Sequence, residues 1–219
     1  AAMFFAVWSA FKGEGRGAGK VSVDAVRRNL LGAFRDRHIM RLSGAGFLAF
    51  MAFAGVISFV SEHLETGPLA MSPEEIGIAL SISGVVGIFF APLAGRMVDR
   101  RGPRCCVAVG FSLGAIAAFS MQWAESYYLF IGLLILSGMG GSFVWSSLLT
   151  MAVAVPARMK GTSSSVFNSL RFLGFALSPV VLTPLYLTWG FDQVMLTCAC
   201  LGLVGLALAA VPRFQRAQG

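Results

Sequence analysis

One arginine stands where an arginine is expensive. Arg171 interrupts the otherwise uncharged run Gly161–Phe191, about ten residues in, which is ~15 Å along a helix. A guanidinium is permanently charged and carries several N–H donors. Deep in an apolar segment it calls for a cavity, an anion or an acidic partner. Ser164, Asn168, Arg171 and Ser178 recur at spacings that put them near one helical face. Such a polar stripe suits an anionic group or a facing carboxylate. The opposing reading is a side chain that snorkels back to the nearer surface and only bridges neighbouring structure. Acids are missing from the middle of every long apolar run, and there is no buried His pair. No catalytic residue, metal site or cofactor is therefore expected. Cys105, Cys106, Cys198 and Cys200 lie in apolar runs. Cys-x-Cys on a helix points its thiols to opposite sides, so these read as small packing residues.

The elements that must position Arg171 follow from composition. Of 219 residues, 57% are hydrophobic and 12% charged, against about 25% charged in a soluble domain. The apolar runs do not alternate with polar residues, which excludes a transmembrane barrel. The expected fold is all-α: a polytopic transmembrane helix bundle. Six spans are read at Leu42–Ser61, Ile76–Gly95, Cys105–Ala124, Ser126–Ala157, Gly161–Phe191 and Gln193–Pro212, each near the ~20 residues that cross a bilayer, or longer. They make up a six-helix unit over residues 42–212. Residues 1–11 are apolar but too short to cross, and read as the end of a preceding helix whose start is missing. Residues 12–41 form a hydrophilic connector, flexible at Gly13, Gly15, Gly17 and Gly19. Within it Val23, Val26, Leu30 and Phe34 recur at helical spacing, as an amphipathic helix on the membrane surface or a solvated linker helix. Ser72-Pro73-Glu74-Glu75 carries a helix start with a capping box. Glu62, His63 and Glu65 are placed in an outer loop, and residues 213–219 in a short tail.

Charge orients the bundle. Of the 17 Lys and Arg residues, all but Arg171 fall in segments 12–41, 95–104, 157–160 and 213–219. Glu62, Glu65, Glu74, Glu75, Glu125 and Asp192 fall at the other ends of the spans. Cations stay on the cytoplasmic side of membrane proteins, so the connector and C-terminus are expected in the cytosol of a cell with a plasma (inner) membrane. Trp123, Tyr127, Tyr128, Tyr186 and Trp189 sit near the opposite ends, as an aromatic belt would. A net charge of +7 does not indicate nucleic acid, because it is confined to these topogenic segments.

The stretch between the second and third spans packs Arg96, Asp99, Arg100, Arg101 and Arg104 between Gly95 and Cys105. It reads as a tight loop whose glycines permit close approach. Gly95-x-x-x-Asp99-Arg100-x-Gly102-x-Arg104 resembles the signature cytoplasmic loop of the major facilitator superfamily, with Cys105 where a second basic residue is usual. By that resemblance the chain is the C-terminal half of a transporter, helices seven to twelve, with the tail of helix six in front. Its implied partners are the lipid bilayer, an N-terminal six-helix half and a small-molecule substrate. Gly174-x-x-x-Ser178-Pro179 is similar to a degenerate antiporter signature of drug/proton antiporters in the same family. The resemblance further implies that Phe50, Phe53, Ser142 and Trp145 join Arg171 and Asn168 as cavity liners, and that Asp99 and Arg100 gate. The function implied is proton-coupled efflux of small organic molecules by alternating access. Two alternatives stay open: import of a small anionic metabolite, and a non-transporting six-helix scaffold or immunity-type protein. A membrane enzyme lacks the nucleophiles or paired acids it needs. Gly138-Met139-Gly140-Gly141 in the fourth span reads as a packing surface.

Overall fold

The computed structural model describes residues 23–156 and 159–210. The expected partial helix at 1–11, the glycine-rich start of the connector and the tail at 213–219 lie outside the described residues. Within them the chain is helical, with no strand. A short helix α1 (Val23–Arg35) precedes α2 (Arg37–Thr66), α3 (Pro73–Arg101), α4 (Pro103–Ser120) and α5 (Tyr127–Val153). A 3-10 turn at Met121–Trp123 follows α4. The last helical stretch, Lys160–Ala210, has 51 residues, about 75 Å if straight and more than twice the ~30 Å hydrocarbon core. It is not straight. Gly190 breaks it with φ 81° and ψ −173°, a conformation that costs glycine little and other residues much. The two arms are α6 (160–189) and α7 (191–210).

Contacts with α2 prove that the chain reverses at Gly190. A Cβ on Gly55 would lie 2.5 Å from Leu182 and 2.8 Å from Cys198, residues that would be about 24 Å apart along one helix. From Phe167 on Gly46 to Leu182 on Gly55, α6 runs in the same direction as α2; Cys198 on Gly55 and Gly205 beside Ala45 show α7 running back. Six membrane-length helices result, the all-α transmembrane bundle read from the apolar runs. α2 is clasped by the α6–α7 hairpin. α5 joins α3 and α4 to this trio, and α4 closes against α7. α3 is the least covered, with Ile88 74% and Phe89 77% exposed, an outer surface fit for lipid or a companion helix.

Several ends differ from the sequence reading. α2 continues to Thr66, so Glu62, His63 and Glu65 occupy its last turns rather than a loop. No breaker intervenes before Gly67. α3 likewise continues through Gly95, Asp99 and Arg100 to Arg101. The expected loop is a helix end, and the turn is Gly102 alone, at φ 84°. Arg100 and Arg101 in the last turn complement the negative end of the helix dipole. The final reversal is at Gly190, which puts Asp192 in the first turn of α7. α5 stops at Val153, short of the long protruding span expected to Ala157. The capping box at Ser72 and Glu75 is formed as the sequence indicates, and Asp36 caps α2 by accepting from the His38 amide at 2.8 Å.

Lipid offers helices no hydrophobic reason to associate, so close packing and hydrogen bonds must hold them. Both are present. Gly110 of α4 meets α5 so closely that a Cβ would stand 2.6 Å from the Val144 nitrogen and 2.8 Å from the Gly140 carbonyl oxygen. Gly138 rests on the Ser83 carbonyl of α3. Ser163 donates to the Ala152 carbonyl at 2.6 Å, joining α6 to α5. A hollow of about 60 Å³ remains between α2, α4, α5 and α7, edged by Ala49, Phe53, Gly114, Gly140 and Gly202. Gly114 has open space beyond its Cα, whereas Gly110 has none. In the full-length protein, Gly110→Ala should lower stability by about 1–3 kcal/mol through overpacking, and Gly114→Ala should leave it near wild type. Thermal unfolding in detergent compares the two.

Candidate functional site

Arg171 lies on the face of α6 that packs inward. Phe167, Arg171, Gly174, Ser178 and Leu182 follow at steps of three and four, and all are buried. Two of these fasten the helix. Gly174 sits directly on the Phe47 main chain of α2, where a side chain has no room. One turn on, Ser178 donates to the Met51 carbonyl at 2.8 Å. Pro179, beside them, is exposed. The contacts set the rotation of α6, and so decide where Arg171 points.

Its guanidinium enters an aromatic cage. The guanidinium carbon lies 3.8 Å from the Trp145 ring centroid, 4.2 Å from Phe172 and 4.4 Å from Phe50. These rings come from α5, α6 and α2. Phe50 also meets Phe53 at 6.3 Å and Trp145 at 6.0 Å between centroids, and Trp145 stacks on Phe167 at 6.2 Å. Arg171 is 8% exposed, and its Nε–H has no hydrogen-bond partner. Among the described residues it forms no ion pair. Each desolvated cation–π contact contributes up to about 2 kcal/mol, but ring faces do not accept the in-plane N–H bonds that a guanidinium offers. Burying an ion costs several kcal/mol even after relaxation. The cage therefore offsets part of that cost and leaves the Nε–H without an oxygen to bond.

The other sequence candidates divide. Phe50 and Trp145 come together at Arg171, while Phe53 packs behind them against Phe50 and edges the small hollow. Asn168 stays on its own helix, its amide donating to the Ser164 carbonyl at 2.9 Å. Ser142 is engaged elsewhere: its hydroxyl donates to the Gly87 carbonyl of α3 at 2.6 Å. Asp99, Arg100 and Arg104 are exposed around the Gly102 turn at the basic end of the bundle, far along α3 from its acidic first turn, and Gly95 lies one turn before Asp99 in the same helix. Phe172 and Phe167 were not singled out as liners. Their spacing beside Arg171, one residue after and one turn before, was the available sign.

An arginine buried without an acceptor weakens the resting fold. Replacing it with an apolar side chain of similar length removes the desolvation cost and keeps the volume. Arg171→Met in the substrate-free full-length protein should raise stability by about 1–3 kcal/mol, whereas Arg171→Ala, which empties the cage, should lower it. Denaturation midpoints in detergent distinguish the pair.

Comparison with known proteins places these features in a family. The profile of the Major Facilitator Superfamily matches residues 42–218. An uncharacterised MFS-type transporter of Mycobacterium tuberculosis is 31% identical over 143 residues, covering 59% of this chain and 24% of that protein. The bacillibactin exporter of Bacillus subtilis is 26% identical over 156 residues, covering 70% of this chain and 38% of the exporter. The chain thus spans between a quarter and two fifths of these relatives' lengths. Among solved structures, the proton:xylose symporter XylE superposes with a TM-score of 0.68 at 19% identity, over 80% of this chain and 45% of that one. With the profile spanning its whole transmembrane bundle, the chain is a multi-pass membrane protein that belongs to the Major Facilitator Superfamily.

Proposed function

We propose that this chain is the C-terminal six-helix half of a secondary transporter that exports small organic molecules in exchange for protons. In this reading it pairs with an N-terminal half, and substrate binds between the halves near mid-membrane. The basic end faces the cytosol of the plasma (inner) membrane, because all the Lys and Arg except Arg171 gather there or in the segments flanking it. The observation that carries the proposal is the Arg171 cage. A cation at this depth, ringed by aromatic side chains and short of an acceptor, is a poor structural element and a good recognition element. Export is supported by the named activity of the bacillibactin relative and by the antiporter-like Gly174-x-x-x-Ser178-Pro179 run. The described spans hold no mid-membrane carboxylate, so the proton carrier belongs to the N-terminal half.

A second reading is import of a small anionic metabolite. It is favoured by the same buried cation and by the symporter character of the structural neighbour. Everted vesicles carrying the full-length protein separate the two. Export predicts solute accumulation that a protonophore abolishes, with Arg171→Ala reducing it at least tenfold. Import predicts accumulation in right-side-out vesicles instead. Accumulation unaltered by Arg171→Ala would remove the site from the mechanism.

The turn at Gly102 supplies the gate. Asp99 and the arginines around it lie at a helix junction one residue long, where charge contacts with the other half can hold one conformation and release it. Asp99→Asn should slow transport severalfold and leave substrate affinity within twofold, as measured by initial rates and equilibrium binding on the same preparation.

A further inference from the structure

Building on the transporter reading, we infer that the Arg171 site takes a planar aromatic monoanion. Three features of the cage specify that class. First, the guanidinium carries one positive charge, and α2, α5 and α6 bring no Asp or Glu beside it among the described residues. A single negative charge neutralises it, and a second would be left uncompensated at the same depth. Second, the Nε–H is buried without a partner in a side chain 8% exposed. A carboxylate presents two coplanar oxygens to the edge of a guanidinium, which suits the in-plane donors that the rings leave free. Third, the surroundings are aromatic. Phe50, Phe53, Trp145, Phe167 and Phe172 form one chain of ring contacts through or beside Arg171. Phe172 is 57% exposed, and Phe50, Phe53 and Trp145 are half-buried, so ring surface remains to stack against a flat ligand. A small hydrophilic anion would satisfy the cation and waste this surface. A neutral aromatic would use the surface and leave the cation bare.

Binding to the purified full-length protein in detergent tests the inference with three probes of defined shape. They are 2-naphthoate, its neutral isostere 2-naphthamide, and the non-aromatic anion cyclohexanecarboxylate. Calorimetry should find 2-naphthoate at least tenfold tighter than either of the others. Arg171→Gln should bring 2-naphthoate down to the level of 2-naphthamide. Trp145→Leu should weaken 2-naphthoate at least fivefold and leave cyclohexanecarboxylate within twofold. The wild-type probe series needs no variant, so it decides the matter even if a substitution fails to fold. Equal affinity for 2-naphthoate and 2-naphthamide, equal affinity for the two anions, or no binding of 2-naphthoate at millimolar concentration overturns the inference. So does an anion preference that survives Arg171→Gln. The transporter reading fails separately: 2-naphthoate binding in a protein that moves no solute across vesicles refutes transport and leaves the site. Transport of neutral solutes without anion preference refutes the site and leaves transport.

Discussion

α6 is held on α2 by a bare glycine and a hydroxyl. Gly174 lets the helix settle on the Phe47 main chain, and Ser178 donates to Met51 one turn further. In lipid these two contacts replace the apolar drive that packs helices in water. They set both depth and rotation. Arg171 stands three residues before Gly174, so its direction follows from them. Turning α6 by one residue, about 100°, would carry the guanidinium out of its aromatic cage and toward the lipid.

The same economy recurs elsewhere in the bundle. Small residues appear where backbones cross, Gly110 against Gly140, Gly138 against Ser83, Gly55 against Leu182 and Cys198. Buried serines donate to carbonyls of neighbouring helices at Gly87, Met51 and Ala152. Each bond satisfies a hydroxyl where no water competes. Arg171 departs from this pattern, since its Nε–H is left unpaired. Ser43 is also left without a partner, but a neutral hydroxyl costs far less to leave unpaired than a buried guanidinium, so the larger deficit lies at Arg171.

Much of this was legible in the sequence, for physical reasons. Apolar runs of bilayer length separated by basic or acidic clusters leave few choices but helices, and the capping box at Ser72 marked one start outright. The helix ends were harder. Hydropathy reports where lipid ends, while a helix ends where its hydrogen bonds do. Glu62, Glu65, Arg96 and Arg100 are good helix formers, so α2 and α3 continue past the lipid boundary. The final reversal was read from the charge of Asp192, but the backbone turns at Gly190, where positive φ is tolerated. Rotation was hardest of all. Helices apolar on every side carry little period to show which face is inward. The resemblance to a family proposed Phe50, Phe53, Ser142 and Trp145 together, and only the packed fold separates Phe50 and Trp145 at Arg171 from Phe53 behind them and from the serine bonded to Gly87.

The make-up of the cage also bears on how the chain enters the membrane. Phe50 belongs to α2 and Trp145 to α5, both synthesised before α6 leaves the ribosome. An arginine at the centre of a span burdens insertion by about 2.5–3.5 kcal/mol. When this one arrives, two of its three rings are already in the bilayer, and the third, Phe172, comes with it. The costly residue thus follows in synthesis the two neighbouring helices that help to shelter it.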